Sequence, residues 1–367
     1  MAMAKLAEER ASDGAPVLHL EVGQPSTPAP RAVLDAAARA LHGDGIGYTN
    51  APGLTALRER IATHYADWYG VALDPARVMV VAGASAGFTL AFLACFDPGD
   101  RVGVVEPGYP CYRNTLEALG CEAVPIPVGP ATRWAPTPEL VRAAGPLRGL
   151  VLASPSNPTG TVLDAPALAA LVAECRSSDI RLISDEIYHG IVYGEPARSA
   201  LELDDEVVVV NSFSKYFSMT GWRLGWLVAP ADLWATIDRL QQNLFICAPT
   251  LSQRAALAAF DCGDELDGHV TRYAATRSVL LEGLARAGLG DLAAADGAFY
   301  VYADVSHLTD DSMTLCRTWL DELGIACTPG VDFDRSRGHR FVRFSYAGRV
   351  DDVAEACRRI EDWMGRR

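Results

Sequence analysis

From about residue 45 to 230 the chain alternates between short apolar runs and helix-like stretches. The runs are VMVVA (78–82), RVGVV (101–105), GLVLA (149–153), IRLIS (180–184), EVVVV (206–210) and LGWLV (224–228). They are continuous rather than alternating, the pattern of strands that helices cover on both faces. Between them TLAFLACF (89–96), YRNTLEAL (112–119) and APALAALVAEC (165–175) carry helical spacing. That rhythm predicts a doubly wound, mostly parallel α/β sheet. Residues 265–287 then read as one long helix connecting two lobes. GAFYVYADV (297–305) and HRFVRFSYA (339–347) read as strands of a second, α+β lobe, closed by a helix over 350–364. The segment PRAVLDAAARALH (30–42) predicts a helix that packs on that lobe or bridges to it.

Composition narrows the class. A chain of 367 residues exceeds the size at which one hydrophobic core stops growing, so two lobes are the default. No apolar run approaches the roughly 18 residues needed to span a bilayer, so no membrane role is expected. The start, MAMAKLAEERASDGAP, lacks the apolar stretch of a secretory signal. A net charge of −14 argues against a nucleic-acid surface, which needs clustered Lys and Arg, so no nucleic-acid partner is expected. The nine cysteines are scattered and none sits at C-x-x-C spacing, so neither a metal site nor a disulfide framework is expected. Cys95, Cys175 and Cys357 lie in helix-like apolar contexts and read as buried thiols in a reducing cytoplasm.

Lysine usage changes the picture more. Of 32 Lys and Arg residues, only Lys5 and Lys215 are lysines. Arginine does not lose its proton to become an amine nucleophile, whereas lysine can. Lys5 falls in a terminus expected to be loose. Lys215 lies in NSFSKYFSMTGWRLGW (211–226), between two predicted strands and at the carboxyl end of the first. Open α/β sheets hold their ligands at such ends. Burial there would expose the free amine that a Schiff base requires. Ser212, Ser214 and Arg223 surround it with hydroxyls and one permanent cation, a set that suits a phosphate.

Other segments bring compatible chemistry to the same sheet edge. In LISDEIYHGIVY (182–193), Asp185 ends a strand and could hold a protonated ring nitrogen, with Tyr188 three residues on. Read alone, the pair also fits a helix cap with a packed tyrosine. ASPSNPTGTVL (153–163) presents Asn157, donor and acceptor at once, in what is otherwise an excellent turn sequence. AGASAGFTLAF (82–92) joins a strand to a helix through small residues that let backbone N–H groups approach an anion. It matches neither a P-loop nor a dinucleotide fingerprint. PGYPCYRN (107–114) carries Tyr109, able to stack on a flat ring or simply to pack. FVRFSYA (341–347) sets Arg343 among apolar neighbours, where it needs either a substrate carboxylate or an internal ion pair.

In this order and company, the segments resemble a class I/II aminotransferase of pyridoxal-phosphate (PLP) fold-type I. The resemblance runs from LEVGQPS (20–26) to FVRFSYA (341–347), and its most specific part is S-x-S-K-x-x-x-x-x-G-x-R. It implies a large PLP-binding domain over 43–280, with a mostly parallel sheet of the seven-stranded type. It also implies a smaller α+β domain built from 1–42 and 281–367. By resemblance Lys215 is the Schiff-base lysine and proton shuttle, Asp185 pairs with the pyridine nitrogen, and Tyr188 and Asn157 contact the ring oxygen. Tyr109 matches the ring-stacking aromatic. Ala84, Ser85, Ser212, Ser214 and Arg223 match the phosphate cup. Arg343, with the Gly23 backbone beside it, matches the α-carboxylate clamp. Tyr48, in YTNAPGLTALR (48–58), matches the tyrosine that reaches the phosphate in the other subunit, which implies a homodimer. The implied reaction moves an amino group from an L-amino acid to a 2-oxo acid such as 2-oxoglutarate or pyruvate. No second arginine for a side-chain carboxylate is recognisable. Lyases, decarboxylases and synthases of the same fold share these motifs and stay open, as does a non-catalytic PLP-binding sensor. Such sensors carry a DNA-binding domain ahead of this fold, and the short stretch before LEVGQPS is expected to be too short for one.

Overall fold

The structure is a computed structural model that describes residues 2–43 and 45–366. Across its larger sheet the strands are ordered Val78–Val81, Gly225–Val228, Val208–Ser212, Arg181–Asp185, Gly149–Ala153, Arg101–Glu106, Glu122–Pro127. Gly225–Val228 is antiparallel to both its neighbours, and the other six run in one direction. Alternate residues of one strand enter different cores. Val78, Val80, Leu150 and Leu152 pack on one face, and Met79, Val81 and Val151 on the other. Two covered faces are why these strands read as unbroken apolar runs.

The strand Glu122–Pro127 has no counterpart among the predicted runs. It lies at the sheet edge, where Val124 and Ile126 are buried while Glu122, Pro125 and Pro127 are exposed. An edge strand needs only one apolar face and tolerates proline, so its pattern is weak. The helix expected from 89 begins earlier and spans Ala84–Cys95, entered through Gly83 at φ +82°.

The second sheet is antiparallel, ordered Thr328–Pro329, Phe341–Ser345, Tyr300–Asp304. The helix Val350–Met364 buries Val353, Ala356, Cys357, Ile360 and Trp363, an apolar stripe at helical spacing. It packs along the long helix Gly263–Arg286. Leu18–His19 pairs in parallel with Ile325–Ala326, which ties an early segment to this lobe. The helix Arg31–His42 packs against Thr250–Ala256 and so touches the range expected for the large lobe.

The start of the chain is not loose. Ala2–Ser12 is a helix, and Met3 and Ala7, one turn apart, are both buried. It packs on Ser312–Leu323 and Ile325–Ala326. Lys5 points outward and pairs with Glu9 at 3.6 Å. Among the described residues, no helix is long and apolar enough to cross a membrane, and no group of three or more His, Cys, Asp or Glu could hold a metal ion. The nine cysteines are free thiols.

Candidate active site

The carboxyl ends of the parallel strands open into a pocket of about 500 Å³, closed on the far side by the smaller sheet and the first helix. Asp185 is the last residue of Arg181–Asp185. Lys215 comes three residues after Val208–Ser212, Asn157 four after Gly149–Ala153, and Tyr109 three after Arg101–Glu106. All four line the pocket, as do Gly23, Ala84, Ser85, Tyr188 and Ser214. Arg223 and Arg343 line it too.

Lys215 donates from Nζ to the carbonyl of Gly23 at 2.7 Å. Burial, reinforced by the cation of Arg343, lowers its pKa to about 8. An appreciable fraction of free amine therefore exists near neutral pH. Asp185 behaves oppositely: burial raises its carboxyl to about 6, opposed by bonds from Tyr112 and the Ile187 N–H. The Ile187 N–H lies 3.0 Å from Oδ1, and the Tyr112 hydroxyl donates to Oδ2. Tyr112 is 5% exposed and packs edge-on to Tyr109, with ring centroids 5.5 Å apart.

At one end of the pocket the N-terminus of Ala84–Cys95 has no side-chain cap. A side chain on Gly83 would overlap the guanidinium of Arg223, so only glycine lets that cation approach the helix start. Arg223 donates to the Thr220 carbonyl at 3.2 Å, and Thr220 Oγ1 donates to the Ser214 carbonyl at 2.9 Å. Free helix N–H groups, a hydroxyl and a guanidinium form an anion cradle. Ser212 stands behind this wall rather than in it. Its Oγ donates to the Leu224 carbonyl at 3.0 Å and lies 2.9 Å from Ser214 Oγ, within hydrogen-bond distance.

At the other end Arg343 is only 6% exposed. It donates to Asn157 Oδ1 at 3.0 Å, to Thr328 Oγ1 at 3.1 Å and to the Glu21 carbonyl. Its ring neighbours are Tyr300 and Phe333, with centroids 4.4 and 4.7 Å from Cζ. These acceptors are neutral, and the buried Nε has no hydrogen-bond partner. A buried guanidinium held this way is suited to an incoming carboxylate.

Tyr48 is not brought to this pocket. It is 83% exposed on a loop before Thr55–Tyr69. Among the wall residues that sequence reasoning did not single out are Tyr112, Tyr300, Thr328 and Met3. Tyr112 lies within the quoted PGYPCYRN segment, one helical turn after Tyr109, and that spacing could have signalled it. Thr328 and Met3 come from short or distant elements, and nothing local marks them.

An amine of lowered pKa, a buried carboxylate, an anion cradle and a guanidinium held only by neutral acceptors define an enzyme that works on carbonyl and amino groups through a phosphorylated ring cofactor. Residues 15–360 match the family model described as aminotransferase class I and II. The chain is 52% identical over 363 residues to the valine–pyruvate aminotransferase of Mycobacterium tuberculosis, covering 98% of this chain and 94% of that one. It superposes on the crystal structure of an aminotransferase from Mycobacterium tuberculosis with a TM-score of 0.98 at 50% identity, covering 100% of this chain and 96% of the other. It is also similar to the aspartate aminotransferase from Thermus thermophilus with maleate: TM-score 0.93, 31% identity, coverage 98% and 95%. The chain belongs to the class I and II aminotransferases. It is a PLP-dependent transaminase of fold-type I that moves an amino group from an amino acid to a 2-oxo acid. The pocket fits that cofactor: the cradle at Gly83 suits its phosphate, Asp185 its ring nitrogen and Lys215 its aldehyde.

Proposed function

We propose that this chain takes the amino group of an apolar branched amino acid such as valine and delivers it to pyruvate, working as a homodimer in the cytoplasm. The observation that carries the donor is the charge inventory of the pocket. Among the described residues its wall holds three side-chain cations, Lys215, Arg223 and Arg343. They serve the amine, the phosphate and the α-carboxylate, and none is left for a second carboxylate. Glu21 and Asp332 on the same wall oppose one. Met3, Val22 and Phe333 offer apolar surface instead. The M. tuberculosis relative, a valine–pyruvate aminotransferase, supports the same substrate pair.

In this reading Lys215 would hold the cofactor's aldehyde and would carry the proton at the substrate Cα. Asp185 would keep the ring nitrogen protonated, and the chemistry PLP would supply when bound there is an electron sink for the substrate Cα. Tyr188 and Asn157 would bind the ring oxygen, and Tyr109 would supply an aromatic face for the ring. The N–H groups of Ala84 and Ser85, with Ser214 and Arg223, would hold the phosphate, with Ser212 orienting Ser214. Arg343 receives the α-carboxylate beside Gly23. The exposure of Tyr48 on its own protomer suits a residue that serves a second copy. Free cysteines throughout suit a reducing compartment.

The test is a donor screen against pyruvate and 2-oxoglutarate. Valine should exceed aspartate in kcat/KM by roughly 100-fold, since an unpaired carboxylate on a wall without a spare cation costs a few kcal/mol. Equal use of aspartate would overturn the donor reading.

A further inference from the structure

Tyr300 belongs to none of the motifs, yet it joins three parts of the site. It is 2% exposed and begins the strand Tyr300–Asp304 of the smaller sheet. Its hydroxyl lies 2.7 Å from that of Tyr188. Its ring face lies 4.4 Å from the Arg343 guanidinium carbon. The hydroxyl also fills the space at Gly23 that any side chain there would occupy, and the Gly23 carbonyl holds Lys215.

Each phenol has one proton, so of two hydroxyls at this distance one donates and the other accepts. A guanidinium on the face of the Tyr300 ring favours negative charge on that ring and makes Tyr300 the better donor. We propose that Tyr300 is a positioning residue that donates to Tyr188, freeing the proton of Tyr188 for a ligand oxygen in the pocket, while its ring holds Arg343 in place for the carboxylate. The inference rests on the roles given above to Tyr188 and Arg343. It adds a link between cofactor and carboxylate that neither motif contains.

The test uses PLP-loaded enzyme and Tyr300→Phe, which keeps the ring over Arg343 and removes only the hydroxyl. The readout is the pH titration of the visible band of the bound cofactor. The titratable and charged groups around the pair, Arg343, Asp185 and Lys215, stay the same. Without its donor, Tyr188 binds the ring oxygen less well, so the midpoint should rise by roughly half a pH unit, part of one hydrogen bond passed through a second oxygen. KM for the amino acid should stay within about twofold because the stacking remains, and kcat should fall by roughly 3- to 10-fold. In Tyr188→Phe the midpoint should rise further, and adding Tyr300→Phe to it should change nothing more. A Tyr188→Phe shift with none from Tyr300→Phe would overturn the inference alone. No shift in either variant would overturn the reading of Tyr188 with it. Tyr300→Ala, which also removes the stacking, should raise KM for both substrates, and an unchanged KM would remove the Arg343 half of the proposal.

Discussion

In the cofactor-free protein Asp185 should be a liability that the cofactor turns into an asset. Its carboxyl titrates at about 6 in the native state, raised chiefly by burial, against an ordinary 3.8. The gap of about two units corresponds to roughly 3 kcal/mol. The sign follows from which state binds the proton. Between about pH 4 and 6 the native state keeps it and the unfolded state does not. This group's contribution is therefore fully present below pH 4 and is lost as pH rises through 6. Asp185→Asn removes the charge while keeping an oxygen for the Ile187 N–H and an amide for the Tyr112 hydroxyl, which can accept as well as donate. At pH 7–8 the cofactor-free variant should be more stable than the wild type by up to roughly 3 kcal/mol, with the advantage shrinking toward pH 5. Urea denaturation of both cofactor-free proteins at several pH values between 5 and 8 measures this difference directly. With PLP bound the order should reverse, because the ring nitrogen then gives the carboxylate its partner, and the variant should release cofactor faster. A wild type more stable than the variant at pH 8, or a difference that does not change with pH, would refute the account of Asp185 as a desolvated carboxylate waiting for a cation.

Borohydride reduction of the PLP-loaded enzyme should fix the cofactor's mass on the peptide containing Lys215 and leave Lys5 unlabelled, as mass spectrometry would read. Lys215→Ala should retain PLP yet lose roughly 10²–10⁴-fold or more in turnover, since no other side chain of the site is placed to carry the Cα proton. Arg343→Ala should raise KM for the amino acid and the oxo acid alike, at a cost on the order of 2–5 kcal/mol in kcat/KM, with bound PLP unchanged; an effect on one substrate only would make it a side-chain contact. Tyr48→Phe should weaken PLP retention by roughly 1.5–3 kcal/mol, and a fully active monomer in sedimentation would overturn the composite site behind that expectation.

The sequence by itself determined the central sheet and the side of it that faces the ligand. Six of its strands are buried on both faces, and such strands must be written as apolar runs that survive without any partner in view. Lys215, Asp185, Asn157 and Tyr109 each follow one of those runs closely, so sheet topology alone brought them to one edge. The edge strand Glu122–Pro127 and the helix at Ala2–Ser12 were decided by tertiary structure, because each shows a single apolar face too short to signal itself. The same holds for the finer chemistry. Tyr300 reaches Tyr188 across 112 positions of chain, Arg343 reaches Asn157 across 186, and Lys215 reaches Gly23 across 192. Nothing local encodes such pairings. They exist because the smaller lobe is folded over the carboxyl edge of the larger sheet, and the burial of Lys215 and Asp185 at that edge lowers the pKa of the first and raises that of the second.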